Sequence, residues 1–124
     1  MARYLLELAY TPEAWAAQLE SPQNRMEAVK PVLDSLGARF ECMYYAFGEH
    51  DLIGIVEAPD NMSAAAASIA FSAGGALKSV RTTPLMTVEE GMETLRKGYR
   101  AFQVYKPPSG RTATAKTGQP VKQN

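Results

Sequence analysis

From Arg3 to Tyr10 large side chains fall on alternate positions. Tyr4, Leu6, Leu8 and Tyr10 lie on one side, and Arg3, Leu5, Glu7 and Ala9 on the other, the period of a strand. Thr11, Pro12 and Glu13 then supply a capping hydroxyl, a proline for the first helical position and an acid for the first turn, which predicts a short helix to about Leu19. Ser21 and Pro22 repeat the device. Met26, Val29, Val32 or Leu33, and Leu36 recur at helical spacing up to Gly37, which suits a left-handed cap. Pro31 inside this helix removes one backbone bond and predicts a bend, not a break. Alternation returns over Arg39 to Phe47, with Phe40, Cys42, Tyr44 and Ala46 opposite Arg39, Glu41, Met43, Tyr45 and Phe47. Gly48 and Glu49 read as a tight connection into a third strand, His50 to Ala58, making a β-hairpin.

Pro59 and Asp60 stop that strand and cap an alanine-rich helix from Asn61 to Ala73. Its stripe of Met62, Ala66, Ile69, Ala70 and Ala73 is small enough for close approach to a sheet. Gly74 and Gly75 end it, Leu77 to Leu85 is a fourth strand, and Thr87 with Glu90 forms a capping box for a last helix to about Lys97. The expected fold is therefore α+β: a ferredoxin-like βαββαβ with a four-stranded antiparallel sheet, helices on one face and an extra C-terminal helix. The other face is left to Met43, Tyr45, Phe47, Ile53 and Ile55. A contiguous apolar patch of that kind predicts a homo-oligomer formed through the open sheet face.

Charge changes the picture at the C-terminal end. The 124 residues carry 13 basic and 13 acidic side chains, but residues 100–124 hold Arg100, Lys106, Arg111, Lys116 and Lys122 with no acid. The division expected is a domain over 1–99 and a basic Pro/Gly/Thr-rich tail over 100–124, either solubilising or reaching an acidic surface of the same or a sister subunit. Apolar runs end well short of the roughly 20 residues of a membrane span, and no secretory leader is recognisable, so a cytoplasmic location is expected. Cys42, the single cysteine, makes neither an internal disulfide nor a thiolate zinc site. Its alternation with Phe40 and Tyr44 places it in the core as an inert thiol.

A set of short motifs carries a family likeness. Ser21-Pro22 precedes Arg25, Glu27 and Ala28. Leu36-Gly37-Ala38 leads into a strand, and Tyr44 to Phe47 leads to Gly48-Glu49-His50-Asp51. Val56-Glu57-Ala58-Pro59-Asp60 and Val80-Arg81-Thr82-Thr83 complete the set. Over about residues 3 to 97 the chain resembles the GYD domain, named for a Gly-Tyr-Asp turn. Here Gly48 and Asp51 flank Glu49 and His50, and His50 takes the tyrosine position. The resemblance implies a dimeric α/β-barrel type of fold and says little about activity.

Candidate chemistry is sparse. His50 beside Asp51 is the most suggestive pair, since an imidazole titrating near neutrality next to a carboxylate moves protons. Adjacent strand residues point to opposite faces, however, so the competing reading is a turn histidine with Asp51 bonded to nearby backbone. Tyr10, Tyr44, Tyr45, Trp15, Glu57 and Arg81 are candidates for lining a pocket between sheet and helices or between two sheets, with Arg81 gripping a small anionic ligand. The plainer alternative pairs Arg81 with Glu57 or Glu7. One histidine with scattered carboxylates gives no metal-ligand spacing, Gly74-Gly75 follows a helix and so is no phosphate loop, and no cofactor is expected. Nucleic acid is disfavoured because the domain before the tail is acidic and lacks a basic surround for its aromatics. The expected function is non-catalytic binding of a small molecule or protein partner by a homo-oligomer. The alternative is a small cofactor-independent enzyme of isomerase, lyase or oxygenase type with one pocket per subunit, His50 acting as acid or base and Arg81 holding substrate.

Overall fold

Alternation and caps translate directly into elements. In a computed structural model that describes residues 1–108, strand β1 (Ala2–Tyr10) is followed by helices α1 (Pro12–Glu20) and α2 (Arg25–Ser35), and then by strands β2 (Arg39–Tyr45) and β3 (Leu52–Ala58). Helix α3 (Asn61–Ala73), strand β4 (Leu77–Leu85) and helix α4 (Val88–Phe102) complete the order. The basic tail beyond residue 108 lies outside the described residues. The Thr11, Asn24, Asp60 and Thr87 side chains each accept a backbone N–H at the start of a helix, satisfying donors that the helix itself leaves unpaired. Gly37 closes α2 at a φ of 69°, where a Cβ would be strained. Helix α2 continues through Pro31 without a break.

The sheet has the order β2-β3-β1-β4 with every neighbouring pair antiparallel, the ferredoxin-like arrangement with an additional C-terminal helix. The described residues divide into two compact units, Met1–Leu85 and a second beginning at Met86. In the first, Tyr4, Leu6 and Leu8 of β1 and Leu52 and Val56 of β3 form the core with Leu33 of α2 and Ala64 and Ala67 of α3. Ala14 and Trp15 of α1 pack against its edge. The opposite face of the same strands carries Leu5 paired with Ile55 and Thr83, and Glu7 paired with Ile53 and Arg81.

Strand β2 departs from simple alternation. Its register against β3 slips between Phe40 and Cys42, a bulge at Glu41 that turns every later side chain over. Phe40 stays on the core side against Val56, but Cys42 pairs with Ile55 and lies half-buried on the open face. Met43 and Tyr45, expected on the open face, instead pair with Gly54 and Leu52 on the helical side. Phe47 is fully exposed in the connection beyond the strand. That connection spans residues 46–51, longer than a tight Gly48-Glu49 turn, and closes with Ala46 N donating to Asp51 O. His50 consequently precedes β3 instead of beginning it. Gly54 is obligatory for the bulge: a Cβ there would lie 2.7 Å from Cys42 O and 2.8 Å from the Phe40 ring.

Two helices also differ from expectation. On α3 the buried stripe is Ala64 and Ala67, with Phe71 beside it, while Met62 and Ile69 point outward. An alanine-rich helix has no polar face to mark its orientation, and Phe71 is the bulk that fixes it. Helix α4 runs to Phe102, beyond Lys97, with Arg100 in its last turn where a cation suits the helix dipole.

Candidate functional site

The bulge in β2 and the end of β1 build a chamber on the helical side of the sheet. Its floor is Leu8, Leu52, Phe40 and Met43, its walls are Val29 and Val32 of α2 and Ala70 and Phe71 of α3, and its volume is about 270 Å³. Among the described residues two side chains bring polar groups to it, the Tyr10 phenol and the Arg25 guanidinium. Tyr10 is buried. That burial pushes its phenol above the usual tyrosine value, while the hydrogen bond and charge of Arg25 pull the other way. Arg25 is half-buried and also donates to Gln23 Oε1 at 2.8 Å.

The Tyr10 ring meets Trp15 edge-on at 5.1 Å between centroids, and Trp15 lies 6.5 Å from Tyr45. Tyr45 donates to Gln18 Oε1 at 3.4 Å, so the aromatic row ties α1 to the edge of the sheet. Tyr10, Trp15 and Tyr45 are thus brought together, with only Tyr10 lining the chamber. Asp51 joins Tyr10 through the backbone. Its Oδ2 accepts from Tyr10 N at 2.9 Å and its own N donates to Leu8 O at 2.7 Å, where the β1–β4 register slips between Ala9 and Tyr10. This is a carboxylate bonded to nearby backbone, anchoring the 46–51 connection to the end of β1.

The other candidates occupy the open face. His50 is buried, with Nδ1 3.6 Å from Glu7 Oε2. Glu57, also buried, is gripped by Arg39 and by Arg3 at 3.1 Å, and Arg3 reaches Glu41 as well at 2.5 Å. With Glu57 so occupied and Glu7 turned to His50, Arg81 makes neither expected ion pair. It stands exposed opposite Glu7 in the register. The structure therefore divides the predicted residues into two groups on opposite faces of the sheet. Among the described residues no group of three or more His, Cys, Asp and Glu side chains is placed to hold a metal.

A family model, the GYD domain, matches residues 4–95. The chain belongs to the GYD domain family. The match covers β1 through about half of α4, and so includes the chamber, the 46–51 connection and the open sheet face. No curated protein matches the chain. In this GYD domain Asp51 is the backbone anchor just described, and His50 is the residue that meets Glu7.

Arg25 is the site residue that alternation and capping did not single out as a ligand group. It sits 15 residues from Tyr10 in sequence, and only the packing of α2 on the sheet brings them together. One signal was present. A cation in the first turn of a helix opposes the dipole, so an arginine directly after the Asn24 cap needs another reason to be there.

Proposed function

We propose that this GYD domain is a non-catalytic binding module, assembled with copies of itself through the open sheet face, that holds a small apolar anion in the chamber behind the sheet. The observation that carries the reading is the chamber's composition: a largely apolar space whose polar side chains, among the described residues, are one guanidinium and one phenol. A carboxylate or similar anion gains a two-pronged, charge-assisted partner in Arg25 and a hydroxyl donor in Tyr10, while its apolar body replaces water against Phe40, Met43 and Phe71. At about 270 Å³ the space lies below the range of drug-sized pockets, roughly 300 Å³ upward, which selects a small molecule. Assembly is supported by Leu5, Ile53 and Ile55, apolar side chains next to one another on the open face of the sheet.

Native mass spectrometry of the full-length chain purified from its own host tests both parts. The expected spectrum is a multiple of the subunit mass plus a reproducible extra mass, with the extra mass lost and the subunit number kept in Arg25→Gln. A bare monomer overturns the assembly. A bare oligomer, unchanged by Arg25→Gln, overturns the ligand.

One observation favours a second reading, cofactor-independent catalysis on the open face. His50 is buried with a carboxylate at its Nδ1 side, and Arg81 lies across from that carboxylate, an arrangement suited to an oriented acid–base imidazole with an anion-holding arginine. Under it, His50→Ala abolishes turnover and leaves the oligomer intact. Full turnover in that variant excludes the assignment.

A further inference from the structure

We propose that α4 docks antiparallel against α4 of a second copy of this chain, a contact separate from the open sheet face. Val88, Met92, Leu95, Tyr99 and Phe102 follow one another at alternating steps of four and three residues. That is the 3.5-residue repeat of a helix seated on another helix, narrower than the stripe a helix turns to a sheet. All five side chains are exposed. A helix of 15 residues with glycines at 91 and 98 is marginal without a partner.

The glycines add an independent observation. Neither Gly91 nor Gly98 has a positive φ, and a Cβ built on either meets nothing within 4 Å. Among the described residues nothing requires glycine there. The two lie one heptad apart on the same flank of the stripe, where bare backbone admits close approach by a neighbouring helix.

Charge selects the occupant and its direction. In an antiparallel pair with Met92 against the partner's Leu95, Glu89 faces the partner's Arg96 and Arg96 faces the partner's Glu89. On the other flank Gly91 meets the partner's Gly98. Both relations occur twice by the two-fold axis, as a self-complementary contact requires. A parallel pair sets Gly91 beside the partner's Arg96 and satisfies neither charge. The outer stripe of α3 in another copy, Met62, Ala66, Ile69 and Ala73, has no charged side chain to read Glu89 or Arg96. Within the chain Arg96 pairs with Glu93 at 3.1 Å, both side chains more than half exposed, and such a surface pair yields readily to a better one.

The test is the association of the full-length chain by sedimentation over a concentration series, with circular dichroism confirming that each variant is folded. Leu95→Asp is expected to raise the dissociation constant about a hundredfold, as a charge placed in a closed seam does. Glu89→Arg is expected to raise it about tenfold, and Glu89→Arg with Arg96→Glu to restore it to within about threefold, the mark of a charge pair across the contact. Gly98→Leu is expected to weaken association although leucine is the better helix former. A wild-type monomer at every concentration, or association unchanged by Leu95→Asp, overturns the proposal. So does a double charge reversal that fails to restore, or dissociation by Ile69→Asp in its place. Ile55→Arg, read in the same assay, reports on the sheet face separately.

Discussion

The two faces of the sheet are made of the same strands, yet they reach stability by different means. On β1 the residues Tyr4, Leu6 and Leu8 disappear beneath α2 and α3, and their cross-strand neighbours Val56, Gly54 and Leu52 are shaped to them. One residue along, Arg3, Leu5 and Glu7 face the other way. There Glu57 is held by Arg3 and Arg39, Glu7 lies beside His50, Arg81 stands exposed, and the apolar Leu5, Ile53 and Ile55 are only half-buried. The covered face is packed beneath helices except at the chamber, whereas the open face leaves its apolar residues half-exposed. Under the proposed function the covered face holds the ligand and the open face meets a copy.

The sharpest way to break the covered face is at Gly54. Valine there drives a branched side chain into Cys42 O and the Phe40 ring, both under 3 Å from the first added atom. The backbone oxygen cannot swing away as a side chain does. The expected loss is about 3 kcal/mol or more of folding stability, read as a fall in the urea midpoint. Gly54→Ala, with one atom in place of three, is expected to lose less. A midpoint unchanged in Gly54→Val would show that the bulge is not fixed by this contact.

Next in size is the joint between the faces. Asp51→Ala leaves Tyr10 N without its acceptor and frees the 46–51 connection, an expected cost of about 2 kcal/mol. Asp51→Asn keeps an acceptor oxygen and is expected to recover at least half of it. Because this joint sets the position of the Tyr10 end of the chamber, Asp51→Ala is also expected to weaken any ligand held there. Thermal melts of the three proteins, with and without ligand, separate the two effects.

Much of this was legible before any coordinates. The helix starts at Thr11, Asp60 and Thr87, the span of α3 and β4, and the ferredoxin-like order all follow from capping residues and period, because those are local. What was not legible depends on distant neighbours. Glu41 becomes a bulge because Phe40 must lie over Gly54, 14 residues further on, and from that point Cys42, Met43 and Tyr45 exchange faces. The ion pairs of Glu57 were missed for a similar reason. Arg3 and Arg39 flank it on neighbouring strands, a consequence of β3 lying between β1 and β2. Of the candidate residues, Tyr10, Trp15, Tyr45 and Asp51 assemble near one end of the sheet. Arg25 enters the site only through the tertiary placement of α2.

Replacing Ile55 by arginine probes the open face alone. Its side chain is half-exposed and points away from the helices, so the expected change in the stability of the isolated subunit is within about 0.5 kcal/mol. The expected consequence is dissociation, since a buried unpaired charge at the centre of an interface is poorly tolerated. Light scattering reads the mass directly. A large loss of subunit stability with no change in mass would mean that Ile55 serves its own chain, and the contrast between the faces would fail.

The smallest effect is a pH dependence confined to the covered side. Asp60 caps α3, accepting from Ser63 N at 2.9 Å, and this hydrogen bonding to the charged form holds its carboxyl below the usual aspartate value. For a carboxyl whose folded value is depressed, the stabilisation is fully present above the unfolded value, about 3.9, and drains away as pH falls through the lower folded one. The cap is exposed, so the loss is small and further reduced by salt. Asp60→Asn retains a capping oxygen with no titration. Its amide exchange protection at the first turn of α3 is therefore expected to stay flat between neutral pH and pH 3, whereas that of the natural protein declines. Equal declines in both would place the acid sensitivity away from the Asp60 cap.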